Sequence, residues 1–151
     1  MSIALSLHLL AAVLWVGGMF FAYTSLRPVA AELLEPPQRL SLWTGVFKRF
    51  FFWVWAFVII LPATGYWMIF KHFGGFGQVG LHVHIMNGLG LIMILLFAFL
   101  FFSPYKKMRA AVEAGNIPEG AKNLALIRKI ILINLTLGIF TIIIVGVGRY
   151  I

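Results

Sequence analysis

The sequence contains no cysteine and no aspartate, and its 151 residues include only four acidic side chains. The missing thiols exclude disulfides, thiolate metal centres, c-type haem attachment and cysteine nucleophiles together. The acids, Glu32, Glu35, Glu113 and Glu119, all lie between the long apolar runs, so no run carries a carboxylate. Proton-coupled transport through a buried acid is thereby disfavoured. Hydrolase triads and two-carboxylate chemistry have no acidic partner near the histidines. Charge of either sign is scarce, at 11% of residues, whereas soluble domains carry roughly a quarter.

Apolar residues fill the space, at 62% of the chain with a mean hydropathy of +1.02. They cluster in four runs, Ile3–Ala22, Phe50–Phe70, Ile85–Phe102 and Ile130–Val147. Each approaches the ~20 residues that cross a bilayer as a helix. The expected fold is all-α: a single-domain, integral membrane, up-down four-helix bundle. The spans are expected at about 3–24, 47–72, 81–102 and 126–149, with loops at 25–46 and 103–125. The first run lacks a basic n-region and an A-x-A-like cleavage site, so it reads as a retained helix rather than a signal peptide.

The net charge of +8 is sorted by position. Arg27, Arg39, Lys48, Arg49, Lys106, Lys107, Arg109, Lys122, Arg128 and Lys129 flank two loops that alternate topology places on one face. Only Lys71 and Arg149 fall at the other face. The positive-inside rule makes the first face cytoplasmic and puts both termini on the outer, periplasmic side of a bacterial-type inner membrane. Such a distribution suits topology and anionic lipid, not nucleic acid.

Punctuation fixes the helix ends. Helix one is expected to stop before Arg27-Pro28, and the following segment, broken by Pro36-Pro37, to lie at the interface with Trp43 as an anchor. Pro62 should kink helix two. The stretch GGFGQVG reads as a turn, lacking the lysine-serine ending of a phosphate loop. Helix three is expected to end at Ser103-Pro104, while Asn116, Pro118 and Glu119 mark the start of helix four. The two halves share a plan of helix, basic loop and return helix.

All four histidines, His8, His72, His82 and His84, go to the outer side. An imidazole inside a span needs a partner, which makes it a functional candidate. By helical rise His8 and His84 lie at comparable depth on helices that are diagonal in the bundle. His84 is expected to face inward, opposite His8, and the pair to hold one planar cofactor or a metal. His82 and His72 would then serve the rim, or His72, beside Lys71, would snorkel. Small-residue stripes run beside them: His8, Ala11, Trp15, Gly18 and Ala22 on helix one, and His84, Gly88 and Leu91 on helix three. Asn134, Gly138 and Thr141 form a third on helix four. Such stripes also serve plain helix packing or a homodimer face.

The run His8-Leu-Leu-Ala-Ala-Val-Leu-Trp15-Val-Gly17-Gly18 resembles the first-helix signature of the CopD family of copper-resistance membrane proteins. The resemblance continues through Thr64-Gly65 and Leu81-His82, covers all four helices, and implies the four-helix module of that family. More distantly, the chain is similar to HemJ-type protoporphyrinogen oxidases and to four-helix b-type cytochromes, which implies a haem between helices. Where the HemJ pattern has Leu-His-x-Lys, this sequence reads Leu81-His82-Val83-His84, which argues against porphyrinogen oxidation.

Three functions follow. In the first, haem b is held by His8 and His84 as axial ligands, walled by Trp15 beside Gly18 and Gly88, with Lys71 and Arg149 on the propionates; bis-imidazole ligation favours electron transfer. Its partner would be a quinone or a small outer-side electron carrier. In the second, the same histidines with His72, His82, Met68 and Met86 bind or carry copper, whose ligand preferences include imidazole and thioether. In the third, the protein is a cofactor-free structural or assembly subunit.

Overall fold

Why the helices run where they do is set by prolines, glycines and the spacing of large apolar side chains. The computed structural model describes residues 1–148 and 150; Arg149, expected near a propionate, lies outside the described residues. Helix α1 (Ser2–Phe21) does not stop before Arg27-Pro28. It passes through a π-helical turn, Ala22–Leu26, into α2 (Arg27–Leu33), which takes Pro28 in its first turn. Pro28 brings no N–H to the turn before it, and the Arg27 side chain donates from Nε to the Tyr23 carbonyl at 3.2 Å. Helix α3 (Pro36–Trp67) opens on Pro36-Pro37 and continues as a π turn, Met68–His72.

The segment expected to lie at the interface is therefore α2 and the start of α3. Leu40, Trp43, Phe47, Phe51 and Val54 recur at intervals of three and four and are all buried, the signature of one continuous helical face. Trp43 is 3% exposed and its ring lies 5.1 Å from that of Phe47. It is a core residue, not a headgroup anchor. Pro62 is absorbed within α3, which continues on either side of it.

Gly74 and Gly75, at φ 82° and 110°, reverse the chain after the π turn, and the Gly75 amide caps the Ile69 carbonyl at 2.8 Å. These positive φ values are open to glycine and strained for other residues. A short 3₁₀ turn, Phe76–Gln78, leads into α4 (Leu81–Leu100). Helix α4 does not end at Ser103-Pro104 either. A π turn, Phe101–Tyr105, accommodates Pro104 and delivers the chain to α5 (Lys106–Glu113). Helix α6 (Ile117–Gly148) begins where Asn116 Oδ1 accepts the Glu119 amide at 3.3 Å. The two halves repeat closely, since α1 and α4 each run 20 residues before a five-residue π turn.

Four helical courses, Ser2–Leu33, Pro36–His72, Leu81–Glu113 and Ile117–Gly148, are long and apolar enough to cross a membrane. Helix α1 packs chiefly on α3, and α4 on α6, while α6 also touches α1 and α3 and so joins the two hairpins. The core is aromatic: Phe51 meets Phe97 edge to face at 5.4 Å and Tyr105 at 5.0 Å. It fills the middle and the basic end only. No residue in 1–10, 81–92 or 139–148 is buried, so the end that carries the histidines has little packed core, although α1 still meets α3 at Gly65 and α4 meets α6 at Gly148.

Candidate metal centre

Helix α1 brings His8 to that open end, and α3 meets it with Thr64 and Gly65. His8 Nδ1 lies 2.9 Å from Thr64 Oγ1. The Thr64 hydroxyl has one hydrogen, and its shortest acceptor is the Ile60 carbonyl one turn back, at 2.6 Å. With its proton directed there, the hydroxyl oxygen accepts from His8, so Nδ1 carries the hydrogen. The other ring nitrogen, Nε2, is then the basic one, with an in-plane lone pair. A hydrogen bond that sets the tautomer in this way orients a metal-binding imidazole and raises its basicity. Gly65 provides the space: a Cβ there would stand 3.3 Å from His8 Cε1, so the ring edge lies almost on the α3 backbone. Beside this pair a groove of about 630 Å³ opens between α1 and α3, lined by Met1, Leu7, Ala63, Thr64 and Trp67 among others.

Helix α4 does the reverse of what was expected of its two histidines. Met93, Phe97 and Leu100 mark its buried face. His84 precedes Met93 by nine residues, which at ~100° per residue places it on the opposite meridian. It is exposed and stacks on Phe76 at 5.7 Å between centroids. His82 is the inward one, half-buried against Gly148 of α6, where a Cβ would collide with the imidazole. His82 rather than His84 turns inward, because the buried stripe of α4 follows Met93 rather than Gly88. His72 is exposed and edge-on to Phe73, and Lys71 is exposed beside it.

The residues expected to hold a haem do not fit one. His8 engages α3 while His84 turns away from the interhelical space, so this pair offers no common axis for a planar ring. Trp15 is 3% exposed and meets Phe97 edge to face at 6.5 Å, which makes it a contact between the hairpins. Gly18 makes room for the Phe50 ring of α3 and serves packing. Gly88 is exposed with nothing near it. Of the two expected thioethers, Met68 is buried and Met86 half-buried. Among the described residues no three His, Asp or Glu side chains converge as a metal cluster. Any metal site here therefore uses one or two imidazoles with softer or neutral donors.

Thr64 was legible only as part of a resemblance, and its role as the partner of His8 was missed. A hydroxyl residue followed by glycine in an otherwise apolar span was the available signal. Met93 and Asn134 were also passed over as site residues. Asn134 Nδ2 donates to the Met93 carbonyl at 3.1 Å, and its Oδ1 is buried with no hydrogen-bond partner.

The family model of CopD, copper resistance protein D, matches residues 44–147. The chain belongs to the CopD family. The match spans α3 from Thr44 onward, α4, α5 and nearly all of α6. It thus contains Thr64, Gly65, His82 and Asn134, whereas His8 on α1 precedes it. No curated protein and no solved structure matches the chain. For this CopD protein, multi-pass membrane architecture and the family's connection with copper stand together.

Proposed function

We propose that this CopD-family protein binds copper as cargo at its histidine end, with His8 Nε2 as the capturing ligand. The observation that carries the reading is the His8–Thr64 hydrogen bond. It presents a basic nitrogen at the open end of a bundle that has few other polar groups. Orientation supports it: ten of the twelve lysines and arginines lie at the opposite end, which by the positive-inside rule faces the cytoplasm. The histidine end then faces outward, where copper arrives. The donors fit the metal, since imidazole and thioether suit copper while a hard dication would call for the carboxylates that the spans lack.

Three parts of the chain do separate work. Thr64 holds the tautomer, Gly65 lets the ring lie against α3, and the sparse packing at this end leaves access from outside. Detergent-purified protein loaded with copper and passed through gel filtration tests the reading. Bound copper that falls sharply in His8→Ala and persists in His84→Ala supports it. Equal copper in both variants, or a haem absorption spectrum that depends on His84, overturns it.

A further inference from the structure

At the basic end of the bundle, the π turn after α1 meets α3 and α6 around a cavity of about 10 Å³, room for a single water. Its floor is apolar, formed by Ala22, Phe47 and Ile131. On each of the three courses a residue nearer the basic end forms the rim. Arg27 comes five residues after Ala22, while Trp43 and Arg128 come four and three residues before Phe47 and Ile131. Two arginines thus share one rim, and none of the described residues that line the cavity is acidic.

Local backbone chemistry fixes the first of them. The Arg27 amide bonds the Ala22 carbonyl, five residues back. The next carbonyl, that of Tyr23, would pair at the same spacing with residue 28, a proline without an N–H. Arg27 Nε donates to it instead, and the guanidinium lies over the Tyr23 ring at 4.4 Å, a cation–π contact. That carbonyl takes one of the five N–H donors of the group, so the fork is held before any ligand arrives. Arg27 and Arg128 are both half-buried. Guanidiniums keep their charge when buried, and two of them beside one apolar floor call for a shared anion.

Both arginines stand just beyond the apolar runs that end at Ala22 and begin at Ile130, the depth of lipid phosphates. One turn into the span, Phe20 and Leu132 lie on the same sides of their helices as Tyr23 and Arg128, and they are 54% and 40% exposed. We propose that the rim between Arg27 and Arg128 binds the phosphodiester of an anionic phospholipid, whose acyl chains descend over Phe20 and Leu132. Arginine grips phosphate oxygens in pairs, and basic pockets between helices at the cytoplasmic surface suit acidic headgroups. The site is independent of the copper reading, since it lies at the opposite end of the bundle.

The test is titration of the detergent-purified, delipidated full chain with phosphatidylglycerol, with bound lipid counted by native mass spectrometry and the unfolding midpoint read on the same samples. Phosphatidylcholine of the same acyl chains and inorganic phosphate are the comparison ligands. Wild type is expected to bind phosphatidylglycerol at least about fivefold more tightly than phosphatidylcholine, and Arg27→Gln and Arg128→Gln should each weaken it about fivefold. Lys129→Gln removes the same charge from an exposed neighbour and should change binding by less than about twofold. Arg128→Gln leaves the Tyr23 carbonyl its partner, so it tests the site even where Arg27→Gln loosens the π turn. Equal affinity for the two lipids, or equal losses in Arg128→Gln and Lys129→Gln, would overturn the proposal. Inorganic phosphate that displaces the lipid at equal concentration would overturn the lipid assignment in favour of a soluble phosphate.

Discussion

Replacing Thr64 by valine keeps the shape of the side chain and removes the oxygen that His8 Nδ1 approaches at 2.9 Å. Two effects follow from that one atom. The imidazole loses the acceptor that holds its hydrogen on Nδ1, so the ring populates the other tautomer, in which Nε2 is protonated and unable to bind metal. The ring also loses its anchor to α3. Second-shell hydrogen bonds of this kind change metal affinity by about 10–100-fold, which at about 1.4 kcal/mol per tenfold is roughly 1.4–2.8 kcal/mol. Thr64→Ser retains the hydroxyl and should recover most of the affinity. The assay is competition for Cu(I) against a chromophoric chelator in detergent, with thermal unfolding run on the same samples. Nitrogen-detected NMR of the histidine ring should show Nδ1–H at His8 in wild type and in Thr64→Ser, and a mixed or inverted tautomer in Thr64→Val. Copper affinity in Thr64→Val within about twofold of wild type, below the range for second-shell contacts, would refute the reasoning, as would a wild-type ring protonated at Nε2 alone.

Other expectations follow from the same contacts. Gly65→Ala places a Cβ 3.3 Å from His8 Cε1; the ring should shift by a few tenths of an ångström, and copper affinity should fall by less than in Thr64→Val in the same competition assay. Gly18→Val drives a side chain into the Phe50 ring and should lower the thermal midpoint, an overpacking cost of about 1–3 kcal/mol, while leaving the metal ligands in place. Trp43→Ala removes a 3%-exposed indole from the core and should cost about 3–5 kcal/mol; near-neutral unfolding behaviour would return Trp43 to the membrane surface. Because the chain has no cysteine, a single Gly77→Cys variant should react with an impermeant thiol reagent added to intact cells, and a single Glu113→Cys variant should not.

Much of this was written in the sequence, though unevenly. The four apolar runs translate directly into four helices because a span must satisfy every backbone group internally. Asn116 marks a helix start because cap geometry is local, whereas Pro36-Pro37, expected to break an interfacial segment, opens α3 some ten residues before the expected span. The helix ends at Pro28 and Pro104 were misplaced because a π turn can carry the chain past a proline, and nothing local distinguishes that from termination. Trp43 was misjudged because an aromatic near a span end looks alike whether it faces headgroups or core; the run Leu40, Trp43, Phe47, Phe51 held the answer. For the candidate site, the partner of His8 was not legible. A histidine on a membrane helix announces that it needs a partner, but His8 found Thr64 on the neighbouring helix rather than His84 on the diagonal one. The facing of His82 and His84 depends on which side of α4 is buried, a property set some ten residues away by Met93 and Phe97.

The central claim is that His8 Nε2 takes copper. The most direct measurement is X-ray absorption at the copper edge on loaded wild-type and His8→Ala protein, each compared with apo samples of equal concentration. The account predicts an imidazole nitrogen neighbour in wild type that is lost, with most of the bound copper, in His8→Ala. An unchanged nitrogen shell and unchanged copper content in His8→Ala would contradict it.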